Sequence, residues 1–75
     1  MITLSSVKRG NGGTVAALQT EDEAILRKLM AMGVSPGISI TLEQRFPSYI
    51  IKVGRTCVAL DRETAQTIYL DISTS

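Results

Sequence analysis

The spacing of apolar side chains changes twice along this chain, and each change marks a new kind of element. Residues Lys8 to Gly13 include three glycines and an asparagine, a turn composition. Thr14 to Leu18 follows as a short β-branched strand. From Thr20 to Gly33 the period becomes helical. Ile25, Leu26, Leu29, Met30 and Met32 fall on an arc of roughly 160° at 100° per residue, with Ala24, Arg27, Lys28 and Ala31 opposite. Thr20 and Glu23 have the T-x-x-E spacing of a capping box, and Asp22 adds negative charge at the positive helix end. Gly33 suits the left-handed position just past a helix, and Pro36 prevents the helix from resuming.

After the turn Ser35-Pro36-Gly37 the period drops to two. Ile38, Ile40 and Leu42 alternate with Ser39, Thr41 and Glu43, so one face is buried and the other wet. Arg45-Phe46-Pro47-Ser48 forms a loop, and Tyr49 to Val53 is β-branched and apolar. Gly54-Arg55 between Val53 and Thr56 is a two-residue hairpin turn with glycine first, the type II′ pattern. Thr56 to Leu60 returns as the partner strand. Asp61 caps a single helical turn through Thr64-Ala65-Gln66. Ile68, Leu70 and Ile72 alternate with Tyr69 and Asp71 in a last strand, and Ser73-Thr74-Ser75 is expected to fray. The predicted fold is mainly β with one helix. It is a small SH3-like barrel of about five strands, with the amphipathic helix between the first two strands and over one open end.

Composition narrows the chemistry. Seventy-five residues are expected to form one small domain, residues 1–75. Eight basic against seven acidic residues leave a net charge of +1, too little for a protein that grips nucleic acid through its phosphates. Histidine is absent and there is one cysteine, so the common zinc and non-haem iron ligand sets and the Ser-His-Asp and Cys-His arrangements cannot be built from one chain. One cysteine also forbids an internal disulfide, which fits a reducing compartment. No charged start precedes a long apolar run, and no stretch approaches the ~20 apolar residues of a membrane span. The expectation is a cytoplasmic protein with no membrane insertion.

The tempting residues have plain readings. Cys57, in a strand at alternating spacing, reads as a small buried or half-buried hydrophobe. Met30 and Met32 read as core. Gly10-Asn11-Gly12-Gly13 lacks the lysine and hydroxyl of a phosphate loop and reads as a turn. Glu21-Asp22-Glu23 points three ways around a helix and reads as helix-start electrostatics. The candidate partner contacts are Arg45, Phe46, Pro47 and Tyr49 in one loop, and Arg27 and Lys28 on the helix. Aromatic and arginine side chains dominate interface anchors. Without tryptophan, the chain has too few aromatics for a polyproline groove.

Several segments together resemble a known family. Leu4-x-x-Val7-x-x-Gly10 and Gly13-x-Val15 open the chain, and Leu29-x-x-x-Gly33-x-x-Pro36-Gly37 precedes the Ile38/Ile40 strand. Tyr49-Ile50-Ile51-Lys52-Val53-Gly54, Val58-Ala59-Leu60-Asp61 and Ala65-x-x-Ile68 complete the series. In order and spacing this resembles the FeoA domain over nearly the whole chain. Many members carry a longer loop with two prolines where Pro47 stands alone here. The resemblance implies a non-enzymatic cytosolic accessory of ferrous iron uptake that docks on the cytoplasmic part of the FeoB transporter. No cofactor is expected, and with no histidine and an isolated thiol no tight ferrous iron or zinc site is expected; seven carboxylates scattered along the chain make a hard-ligand cage improbable. The same fold closes DtxR-type metal-dependent repressors, whose other two domains do not fit in this length. An SH3-like nucleic-acid or ribosome-associated module is the alternative, with Lys8-Arg9 for it and the weak charge and scarce stacking aromatics against it. A regulatory interaction domain of the repressor type is another, and a homo-oligomer stays open.

Overall fold

The computed structural model describes residues 2–72. Along the chain run β1 (Ile2–Thr3), a 3-10 turn (Leu4–Ser6), β2 (Gly12–Leu18), α1 (Glu23–Ala31), β3 (Ser39–Gln44), β4 (Tyr49–Val53), β5 (Thr56–Leu60), α2 (Arg62–Ala65) and β6 (Ile68–Asp71). The strands form one antiparallel sheet in the order β1-β6-β2-β3-β4-β5. One strand more than expected appears, because Ile2 and Thr3 pair with Leu70 and Tyr69. Two residues carry no readable periodicity. The expected fraying of Ser73-Thr74-Ser75 falls outside the described residues.

Register shifts between Val15 and Ala17 and between Leu42 and Gln44 bend the two central strands. The sheet curls around Val15, Ile40, Leu42, Ile51, Leu60, Ile68 and Leu70, all buried. This is the SH3-like arrangement. Leu4 and Val7 enter the same core from the N-terminal side, and Leu29 and Val34 from the helix. Fully burying a leucine contributes ~1.5–3 kcal/mol, so Leu29 alone anchors much of a nine-residue helix.

The helix is narrower than its sequence arc. Leu29 is buried, Ile25, Leu26 and Met32 are half-buried, and Met30 is 57% exposed. Met30 is therefore no core residue. It sits at the edge of the arc, and a small curled sheet covers only the middle. The N-cap is Asp22, whose carboxylate accepts from the Ala24 amide at 2.9 Å, and Thr20 instead accepts from the Asp22 amide at 3.0 Å. The expected capping box is thus displaced by two residues: a carboxylate close to the first free amides outcompetes a hydroxyl farther out. The helix stops as expected. Gly33 has φ 87°, its amide donates to Met30 O at 3.0 Å, and the Val34 amide donates to Leu29 O at 2.9 Å. These are the two bonds of a Schellman motif, closed by buried Val34.

Gly12 and Gly13 are strand residues rather than part of the turn. At Gly12 an added Cβ would collide with the Ile40 carbonyl oxygen and lie 2.7 Å from Thr41 Cα. Glycine is present there because two backbones touch. The β4–β5 hairpin closes as predicted, with Val53 opposite Thr56 and φ 61° at Gly54. Ile38 does not reach the core, staying 37% exposed just before β3, so burial begins at Ile40.

Asp61 caps α2, accepting from the Thr64 amide at 2.8 Å. Hydrogen bonds from the Thr64 side chain and then its amide hold the Asp61 carboxyl below its usual value, with Lys28 adding a smaller attraction. A depressed carboxylate stabilises the fold above its unfolded pKa and loses that contribution as pH falls through the folded one. Asp61→Asn keeps the acceptor and drops the charge. The stability gap between wild type and this variant is expected to be widest near neutrality and to close below about pH 4, read by denaturant titrations across pH.

The two glycines are expected to differ under substitution. Gly33→Ala meets only Val53 Cγ1 at an ordinary 3.6 Å, so its cost is backbone strain of about 1 kcal/mol. Gly12→Ala forces β2 and β3 apart and is expected to cost more than Gly33→Ala. Urea unfolding of both variants checks the order.

Candidate functional site

The loop between β3 and β4 leaves the sheet at the Leu42–Gln44 irregularity, and its ends are tied in two places. Gln44 Nε2 donates to Ser48 O at 3.3 Å, bridging the loop base. Arg45 Nη2 donates to Ser5 O at 2.8 Å, forty residues away in the 3-10 turn. Between these ties Phe46 stands 84% exposed, next to exposed Pro47 and Ser48. A phenylalanine this exposed buries almost nothing in the fold.

Tyr49 is a correction. It is only 8% exposed and belongs to the core. As the first residue of β4, opposite Leu60, it shares strand phase with fully buried Ile51. Loop proximity made it look available; the two-residue period places it inside.

Two further cations join the loop, and sequence reasoning missed the grouping. The turn after the 3-10 segment continues the β2–β3 pairing, for Gly10 N donates to Leu42 O at 2.7 Å and Leu42 N to Asn11 O at 2.8 Å. Exposed Lys8 and Arg9 are thereby carried beside the end of β3 and Arg45. Three cations share this region with one carboxylate, Glu43. The rest of the chain has five cations against six carboxylates. The small positive excess of the protein is local to this end of β3. No sequence motif announces this, because it depends on bonds between segments some thirty residues apart.

The helix candidates stand apart from the loop. Arg27 pairs with Glu23 at 3.8 Å, both side chains 83% exposed, and Lys28 acts on Asp61. An exposed pair of this kind contributes little. Both helix cations already have carboxylate neighbours, whereas Arg45 is held by a neutral carbonyl. Cys57 is exposed rather than buried. Val58 and Leu60 take the inward phase of β5, leaving Cys57 and Ala59 outward. A groove of about 280 Å³ lies elsewhere, over Gly12 and Thr14 between β3 and β6, with Asp71 as its one titratable lining group. Among the described residues no three histidine, cysteine, aspartate or glutamate side chains group to hold a metal ion. No helix among them is long and apolar enough to cross a membrane.

Comparison with known proteins bears on the family and the fold. The model of the FeoA domain family matches residues 2–72. A Leptolyngbya boryana protein named for Fe(2+) transport, transport protein A, is 29% identical over 72 residues, which span 95% of this chain and 88% of that protein. The FeoA of Stenotrophomonas maltophilia is a prokaryotic SH3 domain protein crystallised with zinc and considered for the role of a ferrous iron transport activating factor. It superposes with a TM-score of 0.82 at 25% identity, covering 95% of this chain and 91% of its own. A manganese-dependent transcriptional repressor superposes at 0.84 and 25% identity over 91% of this chain but only 39% of the repressor.

Isothermal titration with Fe2+ or Zn2+ is expected to show no stoichiometric sub-micromolar binding. Zinc sites take four clustered donors, and here one exposed thiol stands without them.

Proposed function

The chain belongs to the FeoA family, and from that premise we propose a non-enzymatic accessory that docks on the cytoplasmic part of an FeoB-type ferrous iron transporter. Family membership supports the role in ferrous iron transport. The docking reading rests on one observation, Phe46 at 84% exposure in a loop tied down on both sides. Ordering a loop on binding costs free energy, and a loop already ordered avoids most of that cost. The chain acts as a single cytoplasmic domain, and Fe2+ is the transporter's cargo, not a resident metal.

The partner surface follows from the chemistry of the loop. It offers an apolar pocket for the Phe46 ring with carboxylates around it, opposite Lys8, Arg9 and Arg45. Pro47 stiffens the approach. Arg27 and Lys28 form a second, weaker contact, since each must leave a carboxylate neighbour. Tyr49 supports the loop from below and touches no partner. A second reading, regulation of a repressor or soluble enzyme through the same surface, has the repressor similarity behind it.

Phe46→Ala is expected to weaken binding to the detergent-solubilised transporter by ~2 kcal/mol or more, about thirtyfold, as for a central aromatic anchor. Its melting temperature stays near wild type, because the ring buries nothing in the free protein. Biolayer interferometry with thermal melts checks both. Normal transporter binding by a folded Phe46→Ala variant sinks the docking reading. A defect confined to a soluble partner supports the second reading.

A further inference from the structure

β5 ends the sheet, and its outer side is a bare strand edge. The hairpin sets which backbone groups face outward. In the two-residue turn Thr56 N–H bonds back to Val53 C=O, so Thr56, Val58 and Leu60 direct their backbone groups to β4. Cys57 and Ala59 direct theirs outward, and no described residue bonds to them.

Such edges normally carry a guard: a charge, a proline, a bulge or very short length. The opposite edge, β1, is two residues long. β5 has none of these devices. Thr56-Cys57-Val58-Ala59-Leu60 is uncharged and free of proline, and it pairs with β4 at five consecutive positions without a register shift. Its outward side chains, Cys57 and Ala59, are small and exposed, so a second backbone can approach closely.

We propose that this edge is taken by β5 of a second copy of the chain, antiparallel, about a two-fold axis at Val58. In that register Cys57 lies opposite Ala59 of the second copy, and both residues present outward backbone groups, as ladder bonding requires. The ends select the register. Exposed Arg55 falls opposite exposed Asp61 of the second copy, and the symmetry repeats the pair at the other end. Moving the axis to Cys57 sets Arg55 against Ala59 and removes both charge pairs. A net charge of +1 leaves little repulsion between copies. A five-residue strand pair is a small interface, so the dimer forms at high concentration. This inference is independent of the transporter reading.

Cys57 is a built-in reporter of the register. About this axis two Cys57 residues lie on the diagonal, ~7–8 Å apart and beyond disulfide reach, whereas directly opposed residues have Cα atoms ~5.5 Å apart, within it. Wild-type chain is mixed with Cys57→Ser/Ala59→Cys chain at millimolar concentration, oxidised, and analysed by mass spectrometry. Disulfide-linked heterodimer is expected in ~tenfold excess over either homodimer. Sedimentation equilibrium of reduced wild type is expected to show mass rising with concentration. Ala59→Pro, which removes an outward N–H without touching the β4 ladder, and Arg55→Glu, which sets like charges together, are each expected to abolish that rise while melting as wild type does. A monomeric wild-type mass at millimolar concentration, homodimer linkage matching heterodimer linkage, or dimers surviving in folded Arg55→Glu chain overturns the proposal.

Discussion

Backbone contact between β2 and its two neighbours is the constraint on which the rest of the structure depends. At Gly12 the chain passes so close to Ile40 and Thr41 that no side chain fits, and at Gly13 an added Cβ would lie 2.8 Å from Asp71 O. β2 is thereby clamped between β3 and β6, the central pairing of the sheet. Curvature follows from the irregularities on either side of this clamp, and the core residues meet only because the sheet curls. The same pairing continues outward through Gly10 and Asn11 to Leu42, which carries Lys8 and Arg9 to the end of β3. Fold and candidate surface share one cause.

The surface itself separates support from contact by strand phase. Tyr49 and Phe46 are three positions apart, yet one is in the core and the other is almost fully in water. β4 begins at Tyr49 and its period sends that ring inward, beside Leu60. Phe46 precedes the strand and obeys no period. Arg45 has two duties, since one amine of its guanidinium holds the 3-10 turn while its other donors stay available. A candidate surface built in this way is held in place by the fold itself, although the ring at its tip contributes almost nothing to folding.

The helix shows how a small core limits what a periodic pattern means. Its apolar arc is real, but a sheet of this size covers only the part centred on Leu29, and Met30 is left in solvent. Cys57 teaches the same lesson in a strand. Alternation says that one phase of β5 is buried; Val58 and Leu60 take that phase, and the thiol faces out. Periodicity finds the faces of an element, and only its neighbours decide which face is covered.

Local chemistry was legible in the residues themselves. The helix stop at Gly33, the Gly54-Arg55 hairpin, the Asp61 cap and the strands around them are bonds between residues a few positions apart, so composition and spacing suffice to place them. The order of those elements was enough for an SH3-like fold and for the family resemblance. Phe46 could be singled out as an unusual aromatic in a loop. What needed the tertiary structure was every property that joins distant segments: the exclusion of side chains at Gly12, the burial of Tyr49, the bond from Arg45 to Ser5, and the placing of Lys8 and Arg9 beside the end of β3. The physical reason is range. A cap or a turn is decided by neighbours along the chain, whereas burial and charge clustering are decided by neighbours across it, after the sheet has chosen its register.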